Sequence, residues 1–128
     1  MTSNVYDLLV YYCRKELPNE ACGLLSGKEG LAATIWPMKN MDKSPVSFSM
    51  DIRQIEHVFN RIKKKNEEVL GIYHSHPTAD AYPSKGDIAL NNHPDLFHII
   101  ISFETIYPKI KAYQINENYV TSKIIQIV

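Results

Sequence analysis

Only two cysteines, Cys13 and Cys22, stand in the 128 residues, too few for a disulfide framework and without the C-x-x-C spacing of a structural zinc site. Both read as small buried apolar residues, although Cys22 follows Glu20 by two and can share its face. An excess of charge of one sign is equally missing. Fourteen basic and fourteen acidic residues cancel to zero, which leaves no electrostatic footprint for a nucleic acid or an anionic membrane. A partner must then be recognised by shape and local patches. No window approaches the ~20 apolar residues of a membrane span, and Met1 to Leu17 lacks a basic segment followed by an unbroken apolar core. The expectation is a cytoplasmic protein. Internal repeats and low-complexity segments are absent too, and residues 1–128 read as one domain, large enough to bury roughly 70% of its unfolded surface.

What is present alternates between helix and strand periods. Val5, Leu8, Leu9 and Tyr12 recur at helical spacing behind a Thr2-Ser3-Asn4 capping stretch, and Pro18 closes that helix because the residue before proline avoids αR. Ala21 to Ser26 reads as a strand, Gly27-Lys28-Glu29-Gly30 as a turn, and Leu31 to Met38 as the returning strand. Asn40 to Val46 is loop, followed by a short strand near Ser47-Phe48-Ser49. Asp51 caps a second helix with Gln54 at N3. On it Ile52, Ile55, Phe59 and Ile62 form an apolar stripe, with Arg53, Glu56, Asn60, Lys63 and Lys64 away from it. The Arg61-Ile62-Lys63-Lys64-Lys65 run is a solvated helix end that suits the dipole, or else a docking patch for an acidic partner. Leu96 to Phe103 is a nearly continuous apolar run of the kind found in central strands, and Lys109 to Ile115 with Tyr119 to Val128 form a hairpin through Asn116-Glu117-Asn118. The order predicts an α/β fold with one mixed β-sheet flanked by helices.

The chemistry concentrates in Val69-Leu70-Gly71-Ile72-Tyr73-His74-Ser75-His76-Pro77 and in Asp87 beyond it. Successive side chains of a strand point to opposite faces, so His74 and His76 share one face and Ser75 points to the other. Pro77 cannot donate to a ladder and ends the strand. Thr78 to Tyr82 form a loop, and Pro83-Ser84 opens a helix over Ser84 to Asn92. With Ser84 as N-cap, Asp87 falls at N3, where the first helical turn favours a carboxylate and can aim it back at the histidines. The pair Ser84-x-x-Asp87 also reads as a capping box with no further role. Two imidazoles and one carboxylate leave a fourth position open, the composition of a catalytic zinc site and not of a closed structural one. Upstream, Glu20 sits where a helix has ended and an apolar strand begins. A hydrolytic zinc needs a base that does not itself bind the metal; the other reading of Glu20 is a solvated loop acid. His57, His93 and His98 show no metal spacing; His98 reads as a satisfied core histidine and the other two as surface residues.

Glutamate, then far downstream H-x-H-P, six residues, S, two residues and D, resembles the JAMM signature of the MPN-domain metalloproteases, and Glu20, His74, His76, Pro77, Ser84 and Asp87 all stand at the required spacing. The resemblance is to a compact, stand-alone, prokaryotic-type member and covers nearly the whole chain. It implies the same α/β arrangement, zinc held by His74, His76 and Asp87, Glu20 as general acid/base, and Ser84 steadying the oxyanion. It implies as substrate an amide or isopeptide bond at the C-terminal tail of a ubiquitin-like or sulfur-carrier protein. Water attacks directly in such a mechanism, so neither cysteine is needed as a nucleophile. Two other readings are a non-catalytic MPN interaction scaffold, against which the intact ligand set argues, and a metallopeptidase acting on small peptides or cell-wall fragments. The short Thr78 to Tyr82 loop makes no large lid, so the substrate tail is expected to add as a strand beside an exposed edge, with specificity drawn from the substrate's folded body. The oligomeric state is not legible.

Overall fold

The computed structural model describes residues 1–89 and 93–128. The first helix, α1 (Ser3–Glu16), buries Val5 and Leu9 of the expected stripe together with Cys13, and Thr2 is its N-cap, accepting from the Val5 amide at 3.1 Å. Strands β1 (Cys22–Lys28) and β2 (Leu31–Met38) form the predicted hairpin. Its turn residues Glu29 and Gly30 both have positive φ, 53° and 78°, the backbone of a two-residue turn whose twist matches that of the strands. Helix α2 (Ile52–Lys64) and strand β3 (Glu68–His76) follow. After them come the short α3 (Lys85–Ala89), β4 (Phe97–Ser102), β5 (Lys109–Asn116) and β6 (Tyr119–Lys123).

The six strands make one mixed sheet in the order β2-β1-β3-β4-β5-β6, in which only β3 and β4 run parallel. That order carries the functional consequence. Because β1 is antiparallel to β3, its beginning lies at the end of β3, with Cys22 paired to His74. The segment before β1 and the last residues of β3 therefore meet at one rim of the sheet, 54 residues apart in the chain at the Ala21–Ser75 contact. Crevices outside the carboxyl ends of parallel strands are the usual ligand sites of α/β sheets.

The two sheet faces are covered separately. Val5, Leu9 and Cys13 of α1 pack with Leu25, Tyr73, Ile99, Ile101 and Ala112, and on the other face Val58 and Ile62 of α2 pack with Leu24, Met38 and Ile72. A fully buried Leu or Ile contributes roughly 1.5–3 kcal/mol, so these two layers supply much of what holds the sheet together. Backbone approach is close at Gly23. A Cβ there would collide with the Trp36 carbonyl oxygen and stand 2.5 Å from the Tyr73 ring, so β1 passes between them only as glycine.

Several expected features differ. Ser47-Phe48-Ser49 is not a strand: Asn40 and Asp42 draw this stretch back on itself through the Ser49 amide and the Ser47 and Ser49 hydroxyls, and no neighbouring strand pairs with it. The inward stripe of α2 runs through Ile55, Val58 and Ile62, whereas Ile52 is 69% exposed and Phe59 42%; the phase is set by the Leu24–Trp36–Ile72 surface the helix meets. Gln54 does not return to its own N-cap but accepts from the Lys39 amide at 3.2 Å, tying α2 to the end of β2. Arg61 leaves the basic run to lie over the Trp36 ring at 5.6 Å. The last strand stops at Lys123 because the chain then turns to the N-terminus, where Val128 donates to Met1 and Ser3 donates to Val128. Of the helix expected over Ser84 to Asn92, Lys85–Ala89 is helical and residues 90–92 lie outside the described residues.

Both cysteines are free and buried, as expected, and burial pushes the thiols up, that of Cys22 to about 12, which disfavours the thiolate in both. His57 and His93 are at the surface. His98 is buried but only half satisfied: one ring nitrogen bonds the His93 main chain, and Nε2 has no hydrogen-bond partner among the described residues. Among those residues no helix is long and apolar enough to cross a membrane.

Candidate active site

His74 and His76 leave the end of β3 on one face, as the strand period requires, and both are buried, 1% and 3% exposed. Their Nε2 atoms stand 3.2 Å apart. Asp87 reaches them from the first turn of α3, with Oδ2 at 3.1 Å from Nε2 of His74 and 3.2 Å from Nε2 of His76. The Ser84–Asp87 pair is a reciprocal cap: the Asp87 amide donates to Ser84 Oγ at 3.0 Å, and the Ser84 amide donates to Asp87 Oδ2 at 2.9 Å. Capping and aiming are thus one arrangement, since the oxygen that accepts from Ser84 is also the one that faces the imidazoles.

The donor chemistry fits a metal. His76 donates from Nδ1 to the Asp80 carbonyl at 2.7 Å, which leaves its Nε2 as a bare lone pair. That nitrogen, the His74 nitrogen and the Asp87 oxygen converge within hydrogen-bond distance, and lone pairs so placed need a shared cation or proton between them. The three ligand atoms form a set that can hold one ion. Two imidazoles and a carboxylate suit zinc with one position left for water or substrate. The Phe48 ring stacks on His74 with centroids 4.6 Å apart and planes 25° from parallel, while His74 Nδ1 is buried with no hydrogen-bond partner among the described residues.

Electrostatics follow from this packing. Burial pushes the ionisation of His74 down, against the pull of Asp87. For His76 burial acts the same way, but the bonds to Asp87 and to the Asp80 carbonyl outweigh it and raise the value. Burial also opposes the charge of Asp87, yet the hydrogen bonds of His74, His76 and the Ser84 amide prevail and hold its carboxyl well below the usual range.

Glu20, the residue read either as a base or as a loop acid, is not solvated: it is 3% exposed and its Oε1 has no hydrogen-bond partner among the described residues. Burial pushes its carboxyl from the ordinary 4.5 up to about 7; the charge of His76 opposes the rise, and those of Asp87 and Asp42 add to it. Its main chain is pinned from three sides, by its own amide donating to the Ser44 carbonyl at 2.8 Å, by Asn40 Nδ2 donating to its carbonyl at 3.0 Å, and by the next amide, Ala21, donating to Ser75 Oγ at 2.8 Å.

All five residues singled out from the sequence are thus brought to one rim. Sequence reading missed Asn40, Phe48, Ser75 and the Asp80 carbonyl as supporting groups. Only Ser75 carried a signal, its place between the histidines on the opposite face of the strand; the rest act through loop geometry that no local pattern encodes.

Residues 2–116 match the model of the family Prok-JAB, described as prokaryotic homologs of the JAB domain. The chain is 30% identical over 129 residues to the CysO-cysteine peptidase of Mycobacterium tuberculosis, a match spanning 98% of this chain and 88% of the relative. Its structure is similar to the solution structure of protein DSY2949 from Desulfitobacterium hafniense, with a TM-score of 0.92, 34% identity, and 99% and 90% of the two chains covered. The fold is also that of AF2198, a JAB1/MPN domain protein from Archaeoglobus fulgidus, at a TM-score of 0.66 and 19% identity over 99% and 96% of the chains. With the family matched over most of its length and the His74, His76 and Asp87 group intact, the chain belongs to the prokaryotic homologs of the JAB domain and is an enzyme of the JAMM zinc-metalloprotease type.

Proposed function

We propose that this protein, acting as one domain over 1–128 in the cytoplasm, hydrolyses an amide or isopeptide bond at the C-terminal tail of a ubiquitin-like or sulfur-carrier protein. The observation that carries the reading is the buried Glu20 carboxylate, with Oε1 unpartnered among the described residues and the next residue, Ala21, bonded to Ser75 between the two histidines. A loop acid of purely structural use would be solvated or paired. The name of the mycobacterial relative, a peptidase of CysO-cysteine, points to an amide at the tail of a carrier protein as the bond type.

In this reading His74 and His76, through Nε2, and Asp87, through Oδ2, hold zinc. When bound, the ion supplies Lewis-acid polarisation of a carbonyl and makes water acidic enough to attack near neutral pH. Glu20 accepts the water's proton at Oε1, which has no hydrogen-bond partner among the described residues, and returns it to the leaving amine. A carboxyl with a value near 7 suits both transfers, because neither form is far from neutrality. Asp80 keeps His76 in the tautomer with Nε2 bare, and Ser84, whose oxygen already accepts from the Asp87 amide, keeps its hydroxyl proton to offer a developing oxyanion.

The test uses a ubiquitin-like carrier protein with cysteine amide-linked to its C-terminal glycine. Release of cysteine by the wild-type protein and not by Glu20→Gln is the expected result. Equal release by both proteins would return Glu20 to the role of a loop acid.

A further inference from the structure

Glu20 has a placement problem that its own side chain does not solve. Its Oε1 has no hydrogen-bond partner among the described residues, so that oxygen does not fix where the carboxylate points. The main chain, by contrast, is pinned. The Glu20 peptide is held on its amide side by the Ser44 carbonyl and on its carbonyl side by Asn40. The second of these holds is made by a side chain.

Asn40 is 7% exposed and fully used. Nδ2 donates to the Glu20 carbonyl at 3.0 Å and to the Ser47 carbonyl at 3.0 Å, while Oδ1 accepts from the Asp42 amide at 3.0 Å and the Ser49 amide at 3.3 Å. A carboxamide has two donors and one oxygen with two lone pairs, so every valence is engaged. Three of the four bonds close the 40–49 loop, and the fourth reaches the residue bearing the unpartnered carboxylate. Phe48, carried by that same loop, stacks on His74. One buried amide thus ties the Glu20 main chain to the loop that also braces a proposed metal ligand.

We propose that Asn40 is a positioning residue for Glu20, holding the carboxylate in register with the His74, His76 and Asp87 group without touching the reacting atoms. This rests on the reading of Glu20 as the proton-transfer group. Asn40→Ala removes all four bonds. Asn40→Asp retains the acceptor side, so the loop bonds from the Asp42 and Ser49 amides survive, while both donor bonds, to the Glu20 carbonyl and to the Ser47 carbonyl within the loop, are lost.

The experiment measures kcat and KM on the cysteine-linked carrier protein, zinc content and Tm for both Asn40 variants, alone and combined with Glu20→Gln. The expected result is a fall in kcat of about 10–100-fold, the scale of a small misplacement of a catalytic group, with KM within about twofold and zinc retained. In the Glu20→Gln background the same substitutions should cost less than about twofold more, because residues acting as one unit are not additive. An equal further loss in that background overturns the proposal, as does an unchanged kcat in Asn40→Asp. Loss of fold and zinc in both variants assigns Asn40 to the fold alone and overturns it too. Full activity of Glu20→Gln by itself instead removes the reading of Glu20, and the two failures are told apart by that single protein.

Discussion

Ala21 and Ser75 clasp each other across the sheet: the Ala21 amide donates to Ser75 Oγ at 2.8 Å, and the Ser75 amide donates to the Ala21 carbonyl at 3.0 Å. Ser75 is the residue between the two histidines, and Ala21 is the residue after Glu20. The clasp therefore sets the proposed base against the ligand group by one residue of chain on each side. Its parts are buried, Ser75 fully, so water does not compete for either bond.

The first prediction concerns the metal. Purified protein should carry about one zinc per chain, held by three protein ligands and exchangeable through the open position. Replacing His76 by Ala should remove most of it. Full stoichiometry in a His74→Ala, His76→Ala protein, measured by elemental analysis, would end the zinc-site reading.

Glu20→Gln should keep its fold and its zinc while losing about 10²–10⁴-fold in kcat, the usual contribution of a general acid/base group. The wild-type acid limb of kcat/KM should have its midpoint at or below about 7, because a bound cation can only lower the value that burial gives Glu20. Any activity left in Glu20→Gln should lack that limb; a limb that survives there belongs to another group.

The same carboxyl makes a stability statement for metal-free protein. Its folded value of about 7 lies above the ordinary 4.5, so the proton is held more tightly in the folded state. That contribution is complete below about 4.5 and is lost as pH rises through about 7. The Tm of Glu20→Gln minus that of wild type should accordingly grow between pH 5 and pH 8 (roughly the span of the shift). A constant difference across this range would show that Glu20 is not desolvated.

Ser84→Ala removes the oxygen that accepts from the Asp87 amide and leaves the Ser84 amide on Asp87 Oδ2. A lost N-cap costs about 0.5–2 kcal/mol. With Asp87 less firmly aimed, zinc affinity should drop by roughly 10–100-fold, as for other outer-sphere changes. A chelator competition that finds unchanged affinity would show that the cap does not steer the ligand.

Substrate choice should reside in the folded body of the carrier. The loop after β3 is short, and among the described residues both free sheet edges, β2 and β6, lie two or more strands from β3, so the edge expected beside the histidines for the tail to add to as a strand is not there. The expected outcome is a much higher kcat/KM on the intact carrier conjugate than on its isolated tail peptide. Equal values would favour a peptidase acting on small peptides.

What the sequence determined by itself are the features with short-range causes. Strand alternation put His74 and His76 on one face, Pro77 ended the strand, and Ser84 with Asp87 made a cap whose carboxylate faces back, all within fourteen residues whose spacing fixes the geometry. The same holds for α1 and for the hairpin at Glu29-Gly30, each written in periodicity and turn chemistry. Only the tertiary structure decided whether Glu20 is a surface acid or a buried carboxyl. That depends on the order β1-β3-β4 bringing the start of one strand to the end of another, and on the loop around Asn40 covering the junction. The phase of α2, with Ile52 outside and Val58 inside, was settled in the same way. A helix or loop with several apolar faces takes the one its neighbours leave open, and those neighbours are distant in the chain.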